Sequence, residues 1–379
     1  MALIQKGHSD FYGYIDFINY CFGMNGTSLS FPSLLPKLYA DGKTSASDTY
    51  FALDGDKIVG TVLSYPMDFH IAGHTLTARG IGSVATHPRR RGEGFMKDMM
   101  KKALDDMARD DVDLSVLGGR RRRYAHFGFE KCDAMTYYAV NRTTVGYLSP
   151  STEGYSIRRV ERDDTALLDT LHSLMNSRPY YTNRPREELY DILVSWMSTP
   201  YAFFKGEELV GWAIHYGRKR QFSEFEILSP EAAGAMIALS VNTFGELSIA
   251  VPIHEHEKAA LIDPYAENVC DESNECFLVF NWERVLSALF ELKAKTQPLC
   301  DGSLTVKING YARVETLKIT VENKKPSVTP YDGESEITLS LTDAEVFFFR
   351  NHAANRAKIN PYAASWLPLP LFIHEPDNV

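Results

Sequence analysis

The sequence predicts an α/β fold with mixed sheets, arranged as two related halves followed by a smaller α+β unit. Three observations lead there. Runs with the two-residue alternation of strands are interleaved with helical spacing through the first part of the chain. The string GDKIVG at 55–60 returns as GEELVG at 206–211, each copy preceded by Phe- or Tyr-rich strand residues and followed by a β-run, TVLSY or WAIHY. From residue 302 onward short β-runs take over (SLTVKING, TLKITVEN, SEITLSLTD), broken by KKP and YDGES.

The elements follow in order. Residues 11–22 form an aromatic-rich helical stretch. Residues 49–64 read as a hairpin, with its turn at Asp54-Gly55-Asp56. A second strand pair is expected around 68–71 and 76–85. After an arginine- and glycine-rich turn, Phe95, Met96, Met99, Met100, Ala103, Leu104 and Met107 recur at helical spacing, with Lys97, Asp98, Lys101, Asp105 and Asp106 opposite. That is an amphipathic helix whose methionines fill a core. The next strand, 113–117, ends at Gly118-Gly119. In the second half FEILSPEAAGAMIAL, 225–239, repeats the strand–turn–helix order but has lost every arginine. A helix is expected over 343–354, and the chain closes on the extended, proline-rich WLPLPLFIHEPDNV. The units are set at 1–150, 151–292 and 293–379.

Composition narrows the function classes. A chain of 379 residues fits two or three domains, and 44% hydrophobic with 23% charged residues excludes a wholly disordered, collagenous or coiled-coil chain. The net charge of −9 disfavours bulk nucleic-acid binding, which needs a positive surface to displace counterions. The five cysteines (Cys21, Cys132, Cys270, Cys276, Cys300) are odd in number and widely spaced, with no Cys-x-x-Cys. They suggest neither a disulfide framework nor a metal site, and reduced thiols in a cytoplasmic protein are the expectation. Asp10 and Asp16 interrupt any apolar leader, and no run approaches the roughly 20 apolar residues that insert into a membrane.

The chemistry concentrates at Gly82-Ser83-Val84-Ala85-Thr86-His87-Pro88-Arg89-Arg90-Arg91-Gly92-Glu93-Gly94-Phe95. A strand ends, a turn follows and a helix begins. The first N–H groups of a helix lack partners and suit a phosphate. Glycines let backbone approach an anion, and arginines add charge-assisted hydrogen bonds. The string is a pyrophosphate cradle by its physics. It is neither a Walker loop nor a dinucleotide fingerprint, since no Gly-Lys-Ser/Thr ends it and Gly-x-Gly-x-x-Gly is absent. Taken alone, an exposed basic turn capping a helix is the better reading, because short Arg/Gly strings are common.

The spacing Arg89-x-x-Gly92-x-Gly94, with Val84 five residues before Arg89, resembles the acyl-CoA loop of the GCN5-related N-acetyltransferases (GNAT). Tyr124-Ala125-His126-Phe127-Gly128-Phe129 resembles that family's Tyr-x-x-x-Gly-Phe signature, and the two motifs come in the family's order. A second half without the motif and a terminal α+β unit extend the resemblance to the Eis (enhanced intracellular survival) type, which has tandem GNAT domains and a third domain similar to sterol carrier proteins. Members of that type often carry a larger apolar residue at the position of Gly94, and the best-known ones end in an aromatic residue where this chain ends in Val379.

The resemblance implies acetyl-CoA as co-substrate, no metal, and a primary amine of a cationic small molecule or lysine side chain as acceptor. It assigns the cofactor to Gly82, Ser83, Val84, Arg89, Arg90, Arg91, Gly92, Glu93, Gly94, Phe95, Gly119 and Arg120. It makes Tyr124 the general acid and the Val379 terminal carboxylate the general base, and it suggests a homo-oligomer, a hexamer in the family. The rival expectation is a non-catalytic lipid-binding or scaffold protein with a vestigial GNAT half. Against it, Arg89, Gly92, Gly94 and Tyr124 persist in the first half.

Overall fold

The computed structural model describes residues 3–24, 30–350, 356 and 359–379. The strands in chain order are β1 (Leu3–Lys6), β2 (Thr49–Asp54), β3 (Lys57–Ile71), β4 (His74–Thr86), β5 (Leu114–Gly118), β6 (Glu130–Lys131), β7 (Met135–Val140), β8 (Tyr155–Arg159) and β9 (Tyr180–Thr182). There follow β10 (Ser198–Lys205), β11 (Glu208–Tyr216), β12 (Gln221–Ile227), β13 (Leu247–Pro252), β14 (Ala266–Glu272) and β15 (Glu275–Val279). The last four are β16 (Gly302–Asn309), β17 (Val314–Glu322), β18 (Lys325–Pro330) and β19 (Ile337–Ser340). They form three mixed sheets, ordered β1-β2-β3-β4-β5-β15-β6 with β9 alongside β3, β14-β7-β13-β12-β11-β10-β8, and β18-β17-β16-β19.

The two large sheets trade strands. β7 follows the first sheet in sequence but pairs β13 and β14 in the second, while β15 returns to lie between β5 and β6 in the first. β9 pairs Phe69–Ile71 of β3. Both exchanges tie the halves together through backbone hydrogen bonds.

One face of the first sheet packs the helix Phe95–Arg109 through Phe95, Met99, Met100, Ala103, Leu104 and Met107, the apolar stripe read from spacing. The helix Phe11–Gly23 packs with β2, β3 and β4 in another cluster, which includes Val379. The helix Trp282–Thr296 is buried between the first sheet and the third, so those two sheets and residues 366–373 of the tail share one core.

Some expectations need correction. The two strands expected within 57–71 are one, fifteen residues long, running through Pro66. β2 pairs β3 only as far as Leu63 and β9 begins at Phe69, so the outer edge of β3 is open where Pro66 lacks its N–H. The KKP break holds a strand: Asn323 and Lys324, both at positive φ, form a two-residue hairpin turn into β18. The helix expected over 343–354 spans Leu341–Phe349, and residues 351–354 lie outside the described residues.

Candidate active site

β4 and β5 run parallel but pair only from Ala78↔Leu114 to Gly80↔Val116. Beyond that point the sheet opens. On its other side β4 is bulged against β3: Leu63 faces Gly82 and Thr61 faces Ala85, so Ser83 and Val84 have no partner in either ladder. Ser83 adopts φ +46°, and Thr61 Oγ1 donates to the Ser83 carbonyl at 2.8 Å. Backbone is thereby turned out of the ladder at Ser83 and Val84, two of the positions that the resemblance assigns to the cofactor.

Downstream of the bulge, Gly92 and Gly94 lie at φ +88° and +87°, a left-handed conformation in which a Cβ is strained. Gly94 caps the Phe95–Arg109 helix without a side-chain acceptor, so the first helical N–H groups remain available to a ligand. A groove of about 590 Å³ runs from Val84 and Thr86 past Arg91 and Gly94 to Arg123 and Phe127. The bulge and the arginine turn therefore line one surface, together with the segment that carries Tyr124.

The arginines divide by partner. Arg90 donates to Glu93 at 2.6 and 2.9 Å and to Asp54 at 2.6 Å, and lies over the Phe95 ring. It braces the turn, and Glu93 serves it. Arg89 and Arg91 are exposed and make no ion pair among the described residues, leaving two guanidiniums for an anion. Arg120 is also exposed, whereas Arg121 is bidentate on the buried Glu130.

Tyr124 is 5% exposed. Its ring packs on Gly119, where an added Cβ would come within 2.5 Å of Cε2, and it meets Phe129 edge-on. Burial pushes its phenol up from 10.0, against the neighbouring Arg123. The adjacent Gly118 faces the tail: a Cβ there would lie 3.4 Å from Asn378 Nδ2. Consecutive glycines thus bring β5 up to both the phenol and the chain end.

Val379 is 7% exposed. A Cβ at Gly82 would stand 3.0 Å from its carboxyl carbon, and one at Gly80 would stand 2.5 Å from its Cγ2. The terminal carboxyl therefore rests on β4 beside the bulge, where the two central strands part. Several groups that hold it had no signature in the sequence. Lys37 Nζ donates to Pro376 O at 2.6 Å, Trp196 Nε1 to Asn378 O at 3.1 Å, and Arg184 grips Asp377. A buried hydroxyl chain also reaches the bulge: Ser83 shares a hydrogen bond with Tyr39, which contacts Tyr14 at 3.5 Å, and Thr49 donates to Tyr14 at 3.2 Å. Burial raises both phenols.

Residues 5–132 match the family described as the acetyltransferase (GNAT) domain, whose members use acetyl-CoA as co-substrate. No curated protein matches the chain. Among solved structures, a conserved protein of unknown function from Enterococcus faecalis, titled a probable N-acyltransferase, is similar at TM-score 0.66 and 17% identity, covering 98% of this chain and 97% of that one. Eis1 from Mycobacterium abscessus is similar at TM-score 0.65 and 14% identity over 100% of both chains. A GCN5-related N-acetyltransferase from Anabaena variabilis is similar at TM-score 0.65 and 13% identity, over 92% of this chain and 90% of that one. At such identities the structures share the fold. The family match over 5–132, where the groove lies, identifies a GNAT acetyltransferase domain in those residues and supports N-acetyltransferase activity.

Proposed function

We propose that the chain transfers the acetyl group of acetyl-CoA directly to a primary amine of a cationic small molecule or a lysine side chain, in the manner of the Eis type. The observation that carries this reading is the terminal carboxyl of Val379 buried against Gly82, next to the Ser83–Val84 bulge that opens into the arginine groove.

Acetyl-CoA supplies an acyl thioester, whose carbonyl carbon accepts the amine and whose sulfur leaves as thiolate. Arg89, Arg91 and the N–H groups from Gly92 to Phe95 hold its pyrophosphate. Backbone N–H groups at Ser83 and Val84 polarise the carbonyl. The Val379 carboxylate takes a proton from the acceptor ammonium, whose pKa is roughly 10 in a lysine-like amine. Tyr124, kept protonated by its burial, gives a proton to the departing sulfur. Ordering both substrates on this frame lowers the entropic part of the barrier.

A cationic acceptor fits a cavity of about 170 Å³ beside the tail, lined by Tyr65, Asp68, Glu188 and Asp377. Burial pulls the one lysine in its wall, Lys37, down to about 7, which weakens the ammonium charge there, and Asp68 makes no ion pair among the described residues and is left to face a cation. The Eis-type organisation is supported by the two echoed strings: each forms a hairpin turn, with Gly55 at φ +58° and Gly206 at +60°. The helix Ala233–Phe244 occupies the second copy's place, entered by a Pro230–Ala232 turn that carries no arginine. We accordingly assign acetyl transfer to 1–150, a GNAT-like unit without the motif to 151–292, and a sterol-carrier-like unit with its tail to 293–379.

The test is CoA release from acetyl-CoA with polyamines, aminoglycosides and lysine peptides. Wild type, Tyr124→Phe and a chain ending at Pro376 would be compared. Turnover with at least one amine, lost in both variants, supports the reading. Wild type that turns over none of the panel while binding a fatty ligand contradicts it for those acceptors.

A further inference from the structure

We propose that Arg184 is a positioning residue for acetyl transfer, fixing the Val379 carboxylate by gripping Asp377 two residues upstream. The inference rests on the proposed role of that carboxylate as base.

A chain end frays unless it is tied down. Arg184 follows β9, where the second half of the chain crosses to pair β3. Its guanidinium is 1% exposed and spans two carboxylates. Nε and Nη2 donate to Asp377 at 2.8 and 2.9 Å, and Nη2 and Nη1 donate to Glu224 at 2.7 and 3.4 Å. Glu224, on β12, also accepts from Arg178 at 3.0 Å and from the Trp212 indole at 3.1 Å. Glu224 is therefore the fixed end of the network and Asp377 the guided one. Arg178 and Arg184 face Glu224 and Asp377, and Arg178 also reaches Glu226 at 3.9 Å, so both guanidiniums are matched by carboxylates. The arginines hold Glu224 well below the ordinary carboxylate range even though burial opposes its charge.

Only a planar fork can meet both carboxylates in this way; a lysine at 184 offers a single point charge. Two residues reach at most about 7 Å, so holding the Asp377 side chain restricts the terminal carboxylate to a small region. Trp196 on Asn378 O and Lys37 on Pro376 O complete the hold from either side of Asp377. The second half of the chain thereby aims a group at the first half's chemistry without entering the groove.

The experiment uses the full-length protein with Arg184→Lys and Asp377→Ala, and the chain ending at Pro376. It measures kcat, KM for both substrates, acetyl-CoA affinity and the pH–kcat profile. Both point variants are expected to lower kcat about 10²-fold, the scale of a misplaced catalytic group. They should shift the acidic limb of the profile and leave acetyl-CoA affinity within about twofold. Combining Arg184→Lys with the truncation should add no further loss, since both remove the same aimed carboxylate. A merely structural anchor would instead leave the acidic limb in place and give additive losses, which overturns the inference. If Arg184→Lys does not fold, Asp377→Ala carries the test, because it keeps the Arg184–Glu224 pair. Truncation without effect on kcat overturns the base assignment and this inference with it. Truncation that abolishes turnover, beside point variants with kcat and profile unchanged, overturns the positioning role alone.

Discussion

The carboxyl carbon of Val379 lies so close over Gly82 that a single methyl group there would stand 3.0 Å from it. Glycine at this strand position is what lets the last residue of the chain rest beside the bulge in β4.

Gly82→Ala should therefore displace the terminal carboxylate by some tenths of an ångström. We expect kcat to fall about tenfold to 10²-fold, with KM for acetyl-CoA changed little. Gly80→Ala, whose methyl would meet Val379 Cγ2 and the Met67 methyl at 2.5 and 2.7 Å, should be at least as severe. Steady-state kinetics on both variants check this.

Tyr124→Phe removes a proton donor and leaves the ring on Gly119 and Phe129. Loss of general-acid assistance predicts a kcat decrease of about 10² to 10⁴-fold with the fold intact. The defect should shrink with an acyl donor whose thiol leaves more readily, because such a thiolate needs its proton less. Equal defects for both donors would contradict the acid role.

The arginine turn should respond unevenly. Arg91→Ala takes away an exposed guanidinium in the groove wall and should weaken acetyl-CoA binding about tenfold, an effect that fades at high salt. Arg90→Ala removes the brace to Asp54 and Glu93 and should act on the turn's order more than on its charge. Gly94→Ala forces a Cβ into the left-handed region and should cost about 1–2 kcal/mol of stability. Titration calorimetry and thermal melts separate these effects.

Stability should fall as pH rises through neutrality. Burial lifts the Glu275 carboxyl from 4.5 to about 7, and burial with the Glu275 charge lifts Asp133 from 3.8 to about 8. Between the unfolded and folded values the folded chain binds more protons than the unfolded one, so each contribution is complete below the unfolded pKa and is lost through the folded one. Glu275→Gln removes one such group. It should leave stability near wild type at about pH 5 and raise it by about 1–3 kcal/mol at about pH 8.5. Melts at the two pH values test the sign.

The local elements were legible where one rule decides them. The methionine stripe follows helical spacing, and Gly92 and Gly94 sit where positive φ is required. The groove was legible for the same reason, since its strand, turn and helix are contiguous in sequence. The exchange of β7 and β15 was not, because both read as ordinary apolar strands and pairing partners leave no local mark. Nor did spacing reveal Lys37, Arg184 and Trp196. They meet the tail across separations of 182 to 339 residues, so nothing local distinguishes them from surface residues. Arg90 looked equivalent to its two neighbours, and its pairing with Glu93 and with Asp54, thirty-six positions away, sets it apart.

The most direct test is chemical. Semisynthesis can convert the Val379 carboxylate to a carboxamide, keeping every side chain and the Gly80 and Gly82 contacts while removing the basic group. If the carboxylate is the base, kcat falls by about 10² or more with acetyl-CoA affinity preserved, and the acidic limb is lost from the pH–kcat profile. An amidated protein that turns over at the wild-type rate with the same profile would contradict it.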